Sequence, residues 1–255
     1  MSQFPPCITV HQSFKERLPR LNLAPVPNGY RTFHPSAPST QVIVAPRALF
    51  IDRVETLQSR VRSFVENTQT GGYLRSQMPL VESTFFLESE EDVIRASLAH
   101  LIYPREDGGR VSDRIIWTHS GPNGPVHIAI LEMKNTRTIH SQEFYNARAT
   151  AGNRVVKFAE AGRRAGLSLL ANNAYTLSQQ ATKYHQATGV VDIAMFDWNE
   201  MVVLDFTGVS NDPANPQFPH AILFSESTQP YGGPTFRSVL LAFLMRALAR
   251  QGVFP

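Results

Sequence analysis

The chain has 255 residues, 42% of them hydrophobic with sixteen Phe, enough to fill the core of one domain or one domain plus a tail. Its formal net charge is only +3, which is compatible with a nucleic-acid partner without demanding one. The single cysteine, Cys7, excludes an internal disulfide framework and a Cys-rich zinc site, and no apolar run is long enough to span a bilayer, so an intracellular protein with no membrane partner is expected.

In chain order, residues 1–46 are Pro-rich, with Pro5, Pro6, Pro19, Pro25, Pro27, Pro35 and Pro38 and few periodic apolar positions, and read as an extended or disordered arm. Residues 47–255 are then the folded domain. In 47–68, Leu49, Val54, Leu57, Val61, Phe64 and Val65 recur at helical spacing, and Gly71-Gly72 closes that element. Ser89-Glu-Glu-Asp92 has the form of a capping box for a helix over about 90–103, which stops before Pro104. Two strand-like runs follow, 111–119 and 126–134, joined by the turn formers Ser120-Gly-Pro-Asn-Gly-Pro125. Residues 142–188 read as helical in two pieces: a polar, basic one to about 165, and a second from near Leu177 to Gly189, a C′ glycine. Residues 190–196 and 201–207 are strands around Asp197-Trp-Asn-Glu200, with Asp192 and Asp205 expected on solvated faces. Trp198 is open to either an exposed or a packed role. An amphipathic helix over 235–251 completes the core; basic pairs such as Arg246 and Arg250 are expected on solvated helix faces.

The run Val-His-Ile-Ala-Ile-Leu-Glu-Met-Lys134 carries the chemistry. It reads as a buried strand, yet ends in two charges two positions apart. Side chains at i and i+2 of a strand share a face, so Glu132 and Lys134 should emerge together, on the face of Val126, Ile128 and Ile130. Such charges are costly to bury unless they pair or bind something. Eighteen residues separate Glu132 from Asp113, which opens the preceding strand, and an antiparallel hairpin would bring the two acids to the same end. Two carboxylates and an amine at one place are a minimal kit for divalent-metal phosphodiester hydrolysis. A structural ion pair for Glu132 and Lys134, and a turn cap for Asp113, are the plain alternatives.

Asp113, Glu132 and Lys134, with a helix before them and a helix bearing Gln180 and Tyr184 after them, resemble the PD-(D/E)XK nuclease superfamily over roughly residues 82–207. Ser112 stands where the family motif has proline. The resemblance implies an α/β, restriction-endonuclease-like fold, a mixed sheet of four to six strands flanked by helices. It implies metal-dependent cleavage of nucleic acid, with Asp113 and Glu132 binding Mg²⁺ or Mn²⁺ and Lys134 orienting water and stabilising charge. By the same resemblance Gln180 lies near the metal and Glu91, in the first helix, supports it. Helix capping explains Glu91 equally well. Tyr184, one turn from Gln180, reads first as an aromatic packing on the sheet. The alternative from another class is a catalytically inactive module of the same fold that binds nucleic acid or protein. A third reading is a metal-independent hydrolase using Asp113 and Glu132 as an acid/base pair.

Overall fold

A computed structural model of the chain describes residues 7–9, 15, 17–18, 22–23, 26–34, 40, 42–59, 74–76, 86–87, 114–121 and 124–252. The fold is α/β. Its centre is a seven-stranded mixed sheet in the order β6-β7-β9-β10-β11-β3-β8. These strands are β3 (Leu49–Asp52), β6 (Arg114–Gly121), β7 (Gly124–Met133), β8 (Arg148–Ala149), β9 (Asp192–Phe196), β10 (Met201–Asp205) and β11 (His220–Phe224). Two short pairs stand apart from it: β1 (Cys7–Thr9) antiparallel to β4 (Leu74–Ser76), and β2 (Asn22–Leu23) parallel to β5 (Phe86–Leu87).

Helices α1 (Ser141–Tyr145), α2 (Arg154–Gly162), α3 (Asn172–Thr188) and α4 (Phe236–Arg250) lie in the second half of the chain. Strands β7 and β9 are parallel and are joined through α3, whereas β6/β7 and β9/β10 are antiparallel hairpins. Every residue of β9 is buried, as a strand with a helix on each face requires. Ile193 and Met195 pack with Ala174, Leu177 and Ala181 of α3, while Ala194 and Phe196 pack with Val239 and Phe243 of α4. Thr235 caps α4 reciprocally with Ser238 in a capping box, and Gly189 ends α3 with φ of 73°, a left-handed conformation that favours glycine.

Several sequence expectations change. Residues 49–52 form a strand, not the start of a helix, because Leu-Phe-Ile fits between β11 and β8 in parallel register; residues 54–59 are helical. The helix expected over 142–165 is interrupted. The Asn153 side chain accepts from the Thr150 N–H at 2.7 Å, a local turn that competes with helix, and β8 intervenes as the edge strand beside β3. Helix α3 begins at Asn172, well before Leu177. Strand β11 lies in a segment where the sequence suggested no element. Within 1–46, expected to stand outside the core, Leu18 and Ala45 are buried in it, and Arg17 donates to the carbonyls of Gln229 and Pro230. The helix over 90–103 lies outside the described residues, as do Glu91 and Asp113.

Asp192 and Asp205 do not sit on solvated faces, and the guanidinium groups of Arg246 and Arg250 turn onto them. Asp192 is fully buried and accepts from Arg246 Nε at 2.7 Å and from Arg250, which also reaches Asp205. Two Asp on neighbouring strands thus fasten the last turns of α4 to the sheet, with the two Arg sealing the charge. Removing one partner strands buried charge, and Asp192→Ala is expected to lower stability by about 2 kcal/mol, discounted from a fully buried pair because Arg250 is partly exposed. Thermal unfolding should show a melting point lower by about 4–8 °C. An unchanged melting point would mean that the network contributes nothing.

Candidate active site

Glu132 and Lys134 do share a face, but the face is not the expected one throughout. Trp117 pairs with Ala129 and Thr118 with His127, so Ile128 is an extra residue, a β-bulge. The bulge resets the alternation: Ile128, Ala129 and Leu131 join the core under α4, while Ile130 packs under α3. Glu132 therefore points toward α3, and Val126, before the bulge, is half-exposed.

The pair is also closed rather than open. Glu132 is 0% and Lys134 2% exposed, and Lys134 Nζ donates to Glu132 Oε1 at 2.7 Å. Gln180 Nε2 donates to the same oxygen at 2.8 Å and to the Tyr184 hydroxyl at 2.6 Å. Tyr184 in turn donates to Glu132 Oε2 at 2.9 Å. Because both groups facing Gln180 Nε2 accept hydrogen bonds, the orientation of its amide is fixed. Gln180 Oε1 is then left buried with no hydrogen-bond partner among the described residues. Burial, together with the neighbouring Glu132, pushes the Tyr184 phenol well above its ordinary pKa, so it stays a donor.

Three further side chains complete the cluster. Arg114 is the cross-strand partner of Glu132, and its guanidinium lies 4.9 Å from the Tyr184 ring centre. The Lys134 ammonium lies 4.5 Å from the ring centre of Phe33, a cation–π contact. Phe33 is held there by Asn173 at the start of α3, whose Oδ1 accepts from the Phe33 N–H at 2.8 Å and whose Nδ2 donates to the carbonyls of Arg31 and Thr138. Of the sequence candidates, Glu132, Lys134 and Gln180 come together. Tyr184 packs on the sheet as expected and also bonds the carboxylate. Phe33, Arg114 and Asn173 were not anticipated. The i, i+4 spacing of Gln180 and Tyr184 is a local signal, whereas Phe33 reaches the site from a Pro-rich stretch without periodicity.

The chain leaves β7 through a loop fixed by Asp197. This fully buried carboxylate accepts from the N–H groups of Thr138 and Ile139 on one oxygen and of Asn199 and Glu200 on the other, at 2.7–3.0 Å. It thereby ties the segment after Lys134 to the β9–β10 turn, where Trp198 adopts φ of 74° and is packed against Phe196. Burial pushes the Asp197 carboxyl up to about 7, against the pull of those N–H groups. An unfolded Asp titrates at about 3.9, so the folded state holds this proton more tightly. That contribution is complete below about pH 4 and is lost as pH rises through 7. Urea unfolding between pH 4 and 8 should show stability falling across this window, and Asp197→Asn should flatten that dependence. At pH 8, where the group is a carboxylate, the variant should also be less stable by about 2 kcal/mol, because an amide presents one acceptor oxygen where the carboxylate presented two. A wild type whose stability rises from pH 4 to 7 would contradict the assignment.

The fit of this cluster to a hard divalent cation is partial. Such ions take oxygen ligands, commonly one or two carboxylates with water and phosphate oxygens. Glu132 supplies a carboxylate, and the orphaned Gln180 Oε1 is an oxygen of the right chemistry beside it. No group of three or more His, Cys, Asp or Glu that could hold a metal ion occurs among the described residues. No protein-family model matches the chain, and no match was found among curated proteins or among solved structures. Among the described residues no helix is long and apolar enough to cross a membrane.

Proposed function

We propose that the chain is a metal-dependent nuclease of restriction-endonuclease-like fold acting on nucleic-acid phosphodiester bonds. The observation that supports it best is the convergence of Glu132, Lys134, Gln180 and Tyr184 at the end of β7, with Glu132 and Gln180 only 2.8 Å apart across strand and helix. Glu132 and Asp113 are the proposed ligands of Mg²⁺ or Mn²⁺, with the Gln180 amide oxygen beside them. The ion would supply a water of lowered pKa and neutralise charge growing on the phosphate. Lys134, released from Glu132 by the cation, would hold the attacking water and offset negative charge at the phosphate. Tyr184 and Gln180 keep the carboxylate oriented, and Arg114 at the rim offers a cation for a flanking phosphate. The reading makes one geometric demand: Arg114, not Asp113, pairs with Glu132, so the chain before Arg114 must turn the Asp113 carboxylate toward the α3 face. Glu91 is proposed as a supporting acid on the resemblance alone.

A second reading is favoured by a specific observation. Glu132 already receives three donors, and Lys134 lies beneath Phe33, as in a site built for rigidity. A module of this fold that binds nucleic acid or protein without turnover fits that closure. Incubation of single- and double-stranded DNA and RNA with and without Mn²⁺ separates the two. Cleavage that requires Mn²⁺, together with a melting point raised by the ion through binding to the folded state, is expected for the nuclease. No cleavage and no shift would leave the binding module, and cleavage that persists in chelator would instead favour a metal-independent acid/base pair.

A further inference from the structure

A cavity of about 890 Å³ lies away from the Glu132 cluster, walled by residues 42–47, by α3, and by the segments that leave β10 and enter β11. Glu132 pairs through Met195 with Val202 near the start of β10, whereas the cavity is built around Phe206 just past its end. Val42, Val44, Leu167 and Val209 line it and remain exposed, Val42 by 79%. Four large aliphatic residues left in water around one concavity are more than scattered surface apolarity. The volume falls within the range of about 300–1,000 Å³ typical of small-molecule sites.

The polar handle of the cavity is His185. Its ring stacks on Phe206 with centroids 4.8 Å apart, and its Nδ1 lies 2.9 Å from the Val190 carbonyl oxygen. A carbonyl can only accept, so Nδ1 carries the proton, and in the neutral ring Nε2 is an acceptor on the opposite edge. Arg47, also on the lining, has its guanidinium 4.0 Å from the Phe158 ring centre, so its charge is directed to α2. What remains is a mainly aliphatic and aromatic chamber, with Thr182, Gln186, Asn211 and Gln217 also on its wall and the His185 ring as its stacked acceptor.

We infer that this cavity is a binding site for an uncharged, largely apolar small molecule of two or three rings carrying an O–H or N–H donor for His185 Nε2. The site is independent of the activity proposed at Glu132. The ring system lies between the valines and Phe206, and the donor reaches the imidazole.

The test titrates 2-naphthol, and 2-methoxynaphthalene as its donor-less counterpart, into the methyl-labelled full chain and follows valine and leucine methyl resonances. 2-Naphthol should shift Val42, Val44, Leu167 and Val209 with a Kd of about 0.1–1 mM, and the methoxy compound should bind several-fold more weakly. His185→Phe keeps an aromatic ring against Phe206 and removes the acceptor, so 2-naphthol should weaken about five-fold while 2-methoxynaphthalene is unchanged. Val209→Trp, at a position already exposed, narrows the mouth and should abolish both. Shifts absent from these four residues, equal affinity of the two probes for the wild type, or binding indifferent to both substitutions would each overturn the inference.

Discussion

Glu132→Gln is expected to reduce Mn²⁺-dependent cleavage of nucleic acid by about 10³-fold while the chain remains folded. The magnitude follows from the role: removing one preorganised electrostatic group from a reacting centre commonly costs about 10²–10³ in rate, and here a metal ligand goes as well. Gln has the same shape, and its carbonyl oxygen still accepts from a neighbour, so the cluster loses charge and not volume. Asp113→Asn should give a loss of the same order and, like Glu132→Gln, remove the Mn²⁺-induced rise in melting temperature. Lys134→Ala should lose cleavage but keep most of that rise, since it removes a water-orienting cation and leaves both carboxylates. The decisive measurements are cleavage rate on gels and melting temperature with and without Mn²⁺, taken on the same preparations. If Glu132→Gln cleaves as fast as the wild type, the activity resides elsewhere and the nuclease assignment to this cluster falls. If the metal shift survives Asp113→Asn, the second ligand has been misidentified.

The parts of this fold legible in the sequence are those with local causes. The β9–β10 hairpin follows from two apolar runs around Asp197-Trp-Asn-Glu200, and α4 from its apolar stripe. The meeting of Glu132 with Lys134 follows from strand periodicity, and that of Gln180 with Tyr184 from helical spacing. What was not legible depends on partners far along the chain. The bulge at Ile128 is a property of the pairing with β6 and leaves no mark on the pattern of β7 alone. Asp192 looks like a solvated acid until Arg250, 58 residues later, is placed against it. Leu49-Phe-Ile-Asp52 fits a helical stripe or a buried strand equally well, and the vacancy between β11 and β8 decides. Phe33 and Leu18 are single apolar residues in a Pro-rich stretch, where composition suggests an arm and burial is settled by the surfaces they meet.

Lys134→Met is expected to destabilise the fold by about 3–5 kcal/mol. The side chain is of similar length, so packing under Phe33 is kept, but the Glu132 carboxylate remains at 0% exposure with the countercharge at 2.7 Å removed. Gln180 and Tyr184 still donate to it, yet neutral donors do not balance a buried negative charge. Part of the strain is relieved by protonation, so the variant should gain stability relative to wild type as pH is lowered from 8 toward 5. Adding Glu132→Gln to Lys134→Met removes the stranded charge, and the double variant should recover most of the loss. The coupling between the two sites in a double-mutant cycle should therefore be about 2–3 kcal/mol. Chemical unfolding of wild type, both single variants and the double variant at pH 5 and pH 8 measures it. If the double variant is as unstable as the sum of the singles, Lys134 and Glu132 are independent in the folded state. The ion pair would then not be what allows two charges at the end of an apolar strand.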